Sequence, residues 1–199
     1  MTEKDYHHGN LREELIRKGL VLLNKSGVED FSLRKVASMC SVSHNAPYRH
    51  FQAKEDLIHE IVMTAVDKFR EALSAALEAH PDDPEKQLFG IGIAYINFFT
   101  MNPEYLSLFF NSGAGEKIIL SNGIISHDKA YLFGILADTY ANFRKIYPGK
   151  KYNKNIEIIN IWSTIHGFTV LTVCGKIEFA DSREQYAEEF MRNLVCGLM

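Results

Sequence analysis

From residue 32 to residue 57 the chain reads SLRKVASMCSVSHNAPYRHFQAKEDL. Ser32 is a residue type that caps helix N-termini, and the segment after it, residues 33–40, has apolar residues at helical spacing. A break at residues 41–43 follows, and a second short segment ends near Phe51. Two short helices joined by a three-residue turn are typical of a helix-turn-helix, so the stretch predicts this motif.

Positive charge is concentrated in the same stretch. Residues 31–54 contain four basic residues, two histidines and no acidic residue, although residues 1–60 balance at nine basic and nine acidic residues. Phosphates take cations and hydroxyls, and base edges take short polar side chains near the start of an inserted helix. The stretch supplies both, which favours DNA binding. A helical hairpin whose charges only keep it soluble is an equal alternative on this evidence.

The rest of the chain also predicts helices. Apolar periodicity indicates a first helix that stops at Gly27 and a long amphipathic helix over residues 54–79. Further helices are predicted over residues 84–101, 104–110, 129–146, 156–176 and 183–198, with a loop and a weak helix over residues 111–122. Strand-like alternation is nearly absent, so the fold class is all-α. An N-terminal three-helix head precedes a C-terminal helical bundle.

Composition excludes several classes of protein. The chain has 199 residues, a net charge of −3 and 46% hydrophobic residues, which describes a soluble globular protein. Its three cysteines are far apart and odd in number, so they support neither a disulfide framework nor a CxxC pair. Charges fill the N-terminus where a signal peptide needs apolar residues, and we expect a cytoplasmic protein. The apolar stretch 156–179 contains Glu157 and Lys176 and indicates a buried helix rather than a membrane span.

Enzymatic motifs are missing from the sequence. It has no G-x-S-x-G, Walker A or H-E-x-x-H pattern, so we expect no enzyme and no cofactor. His127, Asp128 and His166 lack the spacing of ligands on one helix, and no metal site is expected.

Several motifs together resemble the DNA-binding head of the tetracycline-repressor (TetR) family of transcriptional regulators. The markers are Gly27 after the first helix, SLRKVA at 32–37, VS at 42–43, YRHF at 48–51 and KEDL at 54–57. The resemblance implies a homodimeric, sequence-specific regulator that binds double-stranded operator DNA, a repressor released by a small-molecule effector. The alternative is a helical small-molecule-binding protein or enzyme whose head no longer serves DNA binding.

The resemblance also implies which residues contact DNA. They are Ser32, Arg34, Ser43, His44, Asn45, Ala46, Tyr48, Arg49 and His50, with Lys54 on a phosphate. The sequence departs from the family at Ala46-Pro47, where a small polar residue followed by an aliphatic one is more common. Because proline lacks an N–H and is tolerated only in the first turn of a helix, the recognition helix should begin late and be short.

The C-terminal part resembles one subgroup of the family in the W-x-x-x-H-G pattern of residues 162–167. Trp162 and His166 are four residues apart and share a helix face. We expect an apolar effector cavity lined by Tyr95, Phe98, Phe99, Phe109, Tyr131, Trp162 and His166. The alternative is that the aromatic residues are ordinary core and that His166 is a buried histidine bonded to a backbone carbonyl.

Two domains are expected from these features. Residues 1–55 form the helix-turn-helix DNA-binding domain, residues 56–199 form the ligand-binding and dimerisation domain, and the long helix from about residue 54 bridges them. The last two predicted helices are apolar on more than one side, which a small bundle cannot bury alone, and this favours a homodimer. In the family these two helices of each subunit form a four-helix interface.

Overall fold

A computed structural model of the protein describes residues 11–110, 119–121, 124–126, 131–148 and 153–199. Within these residues the elements are α1 (Leu11–Ser26), α2 (Leu33–Met39), a 3-10 helix (Pro47–Arg49), α3 (Lys54–Glu78), α4 (Pro84–Met101), α5 (Pro103–Phe110), β1 (Ile119–Ser121), β2 (Ile124–Ser126), α6 (Tyr131–Ile146), α7 (Lys154–Val173) and α8 (Arg183–Cys196). Eight α-helices confirm the all-α class.

The prediction for residues 111–122 is wrong at its end. Ile119 to Ser121 form β1, which pairs antiparallel with β2 so that Ile119 lies opposite Ser126. A hairpin signal is present in the sequence, since Asn122-Gly123 lies between two isoleucine-containing segments. The remaining residues of that prediction lie outside the described part of the chain.

Local signals fix the helix ends. Gly27 follows α1 with φ +71°, and its N–H donates to the Leu23 carbonyl at 2.8 Å. The N-cap predicted at Ser32 is confirmed, and Asp83 and Ser182, which are also residue types that cap helices, begin α4 and α8; each of the three side chains accepts the N–H three residues ahead. The Asp83 carboxylate accepts the Lys86 N–H, and this hydrogen bond lowers the pKa of Asp83.

The described chain forms two compact units. The first unit contains the described residues up to Ala65 together with α5. Its apolar core includes Leu15 of α1, Val36 of α2 and Leu57 of α3, each fully buried. In this unit Asn24 Nδ2 donates to the carbonyl oxygen of Glu104 at 2.9 Å, which fastens the start of α5 to α1.

The second unit contains α3 from Val66 onward, α4, and the described residues that follow α5. Helix α4 contacts α6, α7 and α8 and is therefore its central helix. Gly92 permits a close approach of α8, because a Cβ there would lie 2.1 Å from Met191 Cε. The units divide inside α3, whereas the sequence placed the domain boundary after residue 55. Because α3 runs through both positions without a break, neither position is a natural chain boundary, and the predicted domains stay a prediction.

A buried polar network joins the helices of the second unit. Arg144 Nη2 contacts Glu157 Oε1 at 3.0 Å, and the two side chains are 9% and 14% exposed. The Arg144 guanidinium also donates to the Tyr140 hydroxyl at 2.6 Å and to the Leu198 carbonyl at 2.7 Å. The Tyr140 hydroxyl donates to Glu157 Oε2. Burial, with the hydrogen bond to Glu157, raises the pKa of Tyr140 to about 12.

Candidate nucleic-acid interface and effector region

The segment after α2 has the shape of a turn followed by one short helical turn. The N–H of Ser41 donates to the Ser38 carbonyl and that of Val42 to the Ala37 carbonyl, both at 3.1 Å, which closes α2. Ser41 takes φ +57°, in the left-handed region that non-glycine residues seldom adopt. This conformation turns the chain sharply away from α2.

The recognition helix is a short 3-10 turn rather than an α-helix. Only residues Pro47–Arg49 are helical, in a 3-10 turn that starts at the proline. The N–H groups of His50 and Phe51 donate to the Pro47 carbonyl at 2.9 and 3.0 Å. The prediction of a late and short recognition helix is thus confirmed, because Pro47 supplies an acceptor but no donor.

Most of the residues expected to contact DNA lie on the surface. Those that are exposed are Arg34, Ser43, His44, Asn45, Tyr48, Arg49 and His50, while Ser32, Ala46 and Lys54 are half-buried. Half of the Tyr48 surface is exposed, which is unusual for an aromatic residue. Pro47 and Phe51 face inward and are buried, so the segment keeps its apolar side in the core and its polar side in solvent.

Ser32 and Lys54 have contacts within the chain. The Ser32 hydroxyl accepts the N–H of Lys35 and caps α2. Lys54 Nζ donates to the Val28 carbonyl at 3.2 Å, and Lys35 Nζ donates to the Asp30 carbonyl at 2.8 Å. Two ammonium groups therefore hold the connection between α1 and α2. The sequence indicated charge at these positions but not its backbone partners.

The start of α3 is fixed beside the recognition turn. Asp56 Oδ2 accepts the N–H groups of Gln52 and Ala53, each at 2.9 Å. This bond pattern satisfies donors that a helix N-terminus leaves free and places an acidic group where the helix dipole favours it. Arg12 of α1 pairs with Glu60 of α3 at 2.7 Å. The Asp56 bonds fix the chain directly after the recognition turn, and the Arg12–Glu60 pair joins α1 to α3.

The predicted effector residues are brought together in part. The Tyr95 hydroxyl and His166 Nδ1 are 2.8 Å apart, a hydrogen bond between α4 and α7. The Trp162 ring lies 6.0 Å from the His166 ring, measured between centroids, and 5.9 Å from that of Phe133. Burial raises the pKa of Tyr95 and lowers the pKa of His166. Burial thus favours the neutral form of both groups.

Phe98 and Phe99 pack around the ring of Phe69, which is not among the residues predicted for the effector. Phe69 of α3 stacks on Phe98 at 4.8 Å and contacts Phe99 at 5.0 Å and Tyr95 at 5.5 Å. The amphipathic stripe of α3 contains Phe69, so its position facing α4 could be anticipated, but its partners could not. This cluster is packed aromatic core beside the Tyr95 and His166 pair.

The other two predicted effector residues are Phe109 and Tyr131. Phe109 lies in α5, which belongs to the first unit, and its ring lies 6.5 Å from that of Phe110. The side chain of Tyr131 lies outside the described residues. The structure thus brings together Tyr95, Trp162 and His166, with Phe98 and Phe99 alongside.

Comparison with known proteins shows what the first part of the chain is similar to. Residues 15–61 match the family described as "Bacterial regulatory proteins, tetR family". The chain is 25% identical over 117 residues to the "Probable acrEF/envCD operon repressor" of Escherichia coli K12, covering 57% of this chain and 53% of that protein. It is 34% identical over 70 residues to the "HTH-type transcriptional regulator TcmR" of Streptomyces glaucescens, covering 35% and 29%. The match thus spans about half of the first relative.

The fold is shared with solved structures along nearly the whole chain. A TetR-family transcriptional regulator from Bordetella parapertussis 12822 superimposes with a TM-score of 0.67 at 15% identity, covering 93% of this chain and 94% of that one. At this identity the likeness concerns the fold. It does not test the W-x-x-x-H-G resemblance, which stays a prediction.

Proposed function

We propose that this chain, whose residues 15–61 belong to the tetR family of bacterial regulatory proteins, is a cytoplasmic, DNA-binding transcriptional repressor. The observation that carries the proposal is the surface formed by residues 43–50, which is polar, exposed, acid-free and held on a buried apolar side. The two relatives from Escherichia coli and Streptomyces glaucescens are described as a probable operon repressor and a transcriptional regulator. The chain has no enzymatic reaction of its own in this proposal.

The exposed side chains divide into two kinds of DNA contact. Arg34 and Arg49 would contact phosphates, since guanidinium groups bind phosphate oxygens in a fixed geometry. Lys54 has further ammonium donors beyond its bond to Val28 and would reach a phosphate while holding the loop. His44 and Asn45 have short polar side chains suited to base edges in the major groove. Ala46 would contact a thymine methyl group.

A second copy of the chain would complete the DNA-binding unit. Helix α7 is long enough and apolar enough to cross a membrane, yet only 22% of its most apolar part is buried within this chain. Ile156 and Leu171 on α7 are 48% and 46% exposed. An apolar helix that is largely uncovered needs a partner, and a two-fold dimer presents two recognition segments to half-sites about 34 Å apart. Sedimentation of Leu171→Glu, with exposed Val21→Glu as the control, tests this interface.

Effector binding would change DNA binding through α3 and α5. Tyr95 and His166 offer a neutral hydrogen-bonding pair among aromatic rings, the composition of a small-molecule site. Helix α3 begins in the first unit and ends in the second, and α5 joins the first unit through Asn24 and Glu104. We infer that a ligand beside Tyr95 shifts α3 and thereby the spacing of the two recognition segments.

DNA binding by purified protein tests the proposal. Fluorescence anisotropy would compare DNA from upstream of its own gene with a shuffled duplex at several salt concentrations. Arg49→Ala should weaken binding to both about tenfold and reduce the salt slope by about one, because one phosphate contact is lost. His44→Ala should instead reduce the preference for the natural sequence, by about 1–3 kcal/mol if it reads a base.

Lys25→Ala is the matched control for charge, because Lys25 is an exposed base near the end of α1 outside the proposed surface. Its affinity for DNA should stay within about twofold of the unaltered protein. Binding that is insensitive to salt, or an equal effect of Lys25→Ala and Arg49→Ala, would contradict the proposed surface.

A further inference from the structure

An ion pair between α1 and α3 lies beside the recognition turn. Arg12 Nη2 is 2.7 Å from Glu60 Oε1. The Arg12 guanidinium also lies over the Phe51 ring, 5.7 Å from its centroid. Phe51 is buried, and its N–H donates to the Pro47 carbonyl, so its ring is fixed directly after the recognition turn. The fold therefore places the Arg12 charge next to the end of residues 43–50.

Arg12 is the more exposed member of this pair. Its side chain is 48% exposed, whereas that of Glu60 is 32% exposed. A guanidinium has five N–H donors, so a contact with one carboxylate leaves donors for a second anion. Its planar fork binds phosphate in the same way as it binds carboxylate. Arg12 thus has both the exposure and the donors to bind a DNA phosphate.

Glu60 brings negative charge to a region where the sequence predicts none. Residues 31–54 contain no acidic residue, and Glu60 lies outside that stretch. The fold nevertheless brings its carboxylate to Arg12, beside Phe51. A carboxylate at this place repels an approaching phosphate and occupies the guanidinium that would attract it. Both effects weaken DNA binding, and both are strongest at low salt.

We propose that Glu60 competes with DNA for Arg12, and that Arg12 binds a phosphate of the DNA backbone in the complex. In the free protein the Glu60 carboxylate takes the position of that phosphate on the guanidinium. Its presence sets the affinity for DNA below the value that the same surface would have without it. This role rests on the proposed DNA binding and adds two residues outside the set expected to contact DNA.

DNA binding by the full-length protein would be measured by fluorescence anisotropy, with the upstream duplex and the shuffled duplex, over a range of salt concentrations. Arg12→Ala should weaken binding to both duplexes about fivefold to tenfold and reduce the salt slope by about one, because one phosphate contact is lost. Glu60→Gln keeps a carbonyl oxygen that can hold the guanidinium but removes the charge. It should strengthen binding to both duplexes about threefold at low salt, and less as the salt concentration rises.

A double variant separates phosphate binding from simple neutralisation of Glu60. If Arg12 only masked the carboxylate, Arg12→Ala would have no effect once Glu60 is replaced by glutamine. If Arg12 binds a phosphate, Arg12→Ala weakens binding at least about fivefold in the Glu60→Gln background as well. We expect the second result.

The ion pair of Arg17 and Glu14 is the matched control. These side chains lie 2.6 Å apart on α1 and are 60% and 39% exposed. Because successive residues are about 100° apart around a helix, Glu14 lies about 200° from Arg12, on another face of α1. Arg17→Ala and Glu14→Gln should each leave the affinity for DNA within about twofold of the unaltered protein.

Three results would overturn the proposal. They are an affinity unchanged by Arg12→Ala, no effect of Arg12→Ala in the Glu60→Gln background, and binding by Glu60→Gln that is no stronger than that of the unaltered protein. Salt-dependent binding that Arg49→Ala weakens and Arg12→Ala does not would leave the proposed function standing and remove only this role. Urea unfolding would establish that each variant is folded under the assay conditions, as expected for the loss of an exposed ion pair.

Discussion

The two compact units place their polar side chains differently. In the first unit the side chains proposed for DNA lie in solvent, and the apolar residues beneath them, such as Phe51 and Leu57, fill the core. In the second unit polar side chains meet inside, as Arg144 does with Glu157 and Tyr95 does with His166. An exposed polar group contributes little to stability, whereas each member of a buried pair stabilises the fold by satisfying its partner, whether or not a ligand also contacts the pair.

This difference predicts which substitutions affect stability. A residue of the exposed set can be changed at small cost, so its loss is visible in binding. A member of a buried pair leaves its partner unpaired, so its loss is visible in the free energy of unfolding. Variants matched between the two units test this distinction.

The largest effect is expected for Arg144→Met. It removes the donors to Glu157, the Tyr140 hydroxyl and the Leu198 carbonyl, and it leaves a buried carboxylate without a cation. We expect the free energy of unfolding, measured in urea, to fall by about 3–5 kcal/mol. Adding Glu157→Leu should recover part of the loss, because the unpaired charge is then gone.

Arg17→Met in the first unit is the matched control. Arg17 pairs with Glu14 at 2.6 Å, but the two side chains are 60% and 39% exposed. Its removal should change the free energy of unfolding by no more than about 1 kcal/mol. Equal losses for both arginine variants would show that burial does not distinguish the two ion pairs.

A smaller effect, of opposite sign in the two units, is expected for two glycines. No atom lies within 4 Å of the position a Cβ would take at Gly27 or at Gly134, so neither substitution to alanine causes a clash. Gly27 has φ +71°, and Gly27→Ala should cost about 1 kcal/mol. Gly134 lies inside α6, where Gly134→Ala should stabilise the protein by about 0.5–1 kcal/mol.

Thermal or urea unfolding of both glycine variants measures this contrast. A loss of stability in both would mean that hidden packing, rather than backbone conformation, decides the outcome. A gain in both would mean that α1 can end without a left-handed residue.

Features set by neighbouring residues could be predicted from the sequence. The caps Ser32 and Asp83, the stop at Gly27 and the short recognition turn at Pro47 each depend on a few consecutive residues. The hairpin was missed although its signal, Asn122-Gly123, is equally local. Neighbouring residues therefore indicate this strand pair as well as the helix ends.

Features that join distant residues could not be predicted. The backbone partner of Lys54 is 26 residues away, and Tyr95 and His166 are 71 residues apart. Helical spacing shows which face of α4 or α7 is apolar, but not which residue of one meets which residue of the other. For this reason helical spacing places Trp162 and His166 on one face of α7, where their ring centroids lie 6.0 Å apart, but it does not identify their partners on other helices.

The smallest effect concerns pH and the pair inside the second unit. Burial lowers the pKa of His166 from the ordinary value of 6.5. As the pH falls through about 6.5, the unfolded chain binds a proton at this histidine and the folded chain does not. The stability that is present above this pH is therefore lost as the pH falls toward the lowered pKa.

His166→Gln removes this proton uptake and should flatten the dependence of the free energy of unfolding on pH between about 7.5 and 5.5. An unchanged slope in His166→Gln would mean that this histidine titrates alike in both states, and the contrast between buried and exposed polar groups would then fail at the residue where the effector is proposed to bind.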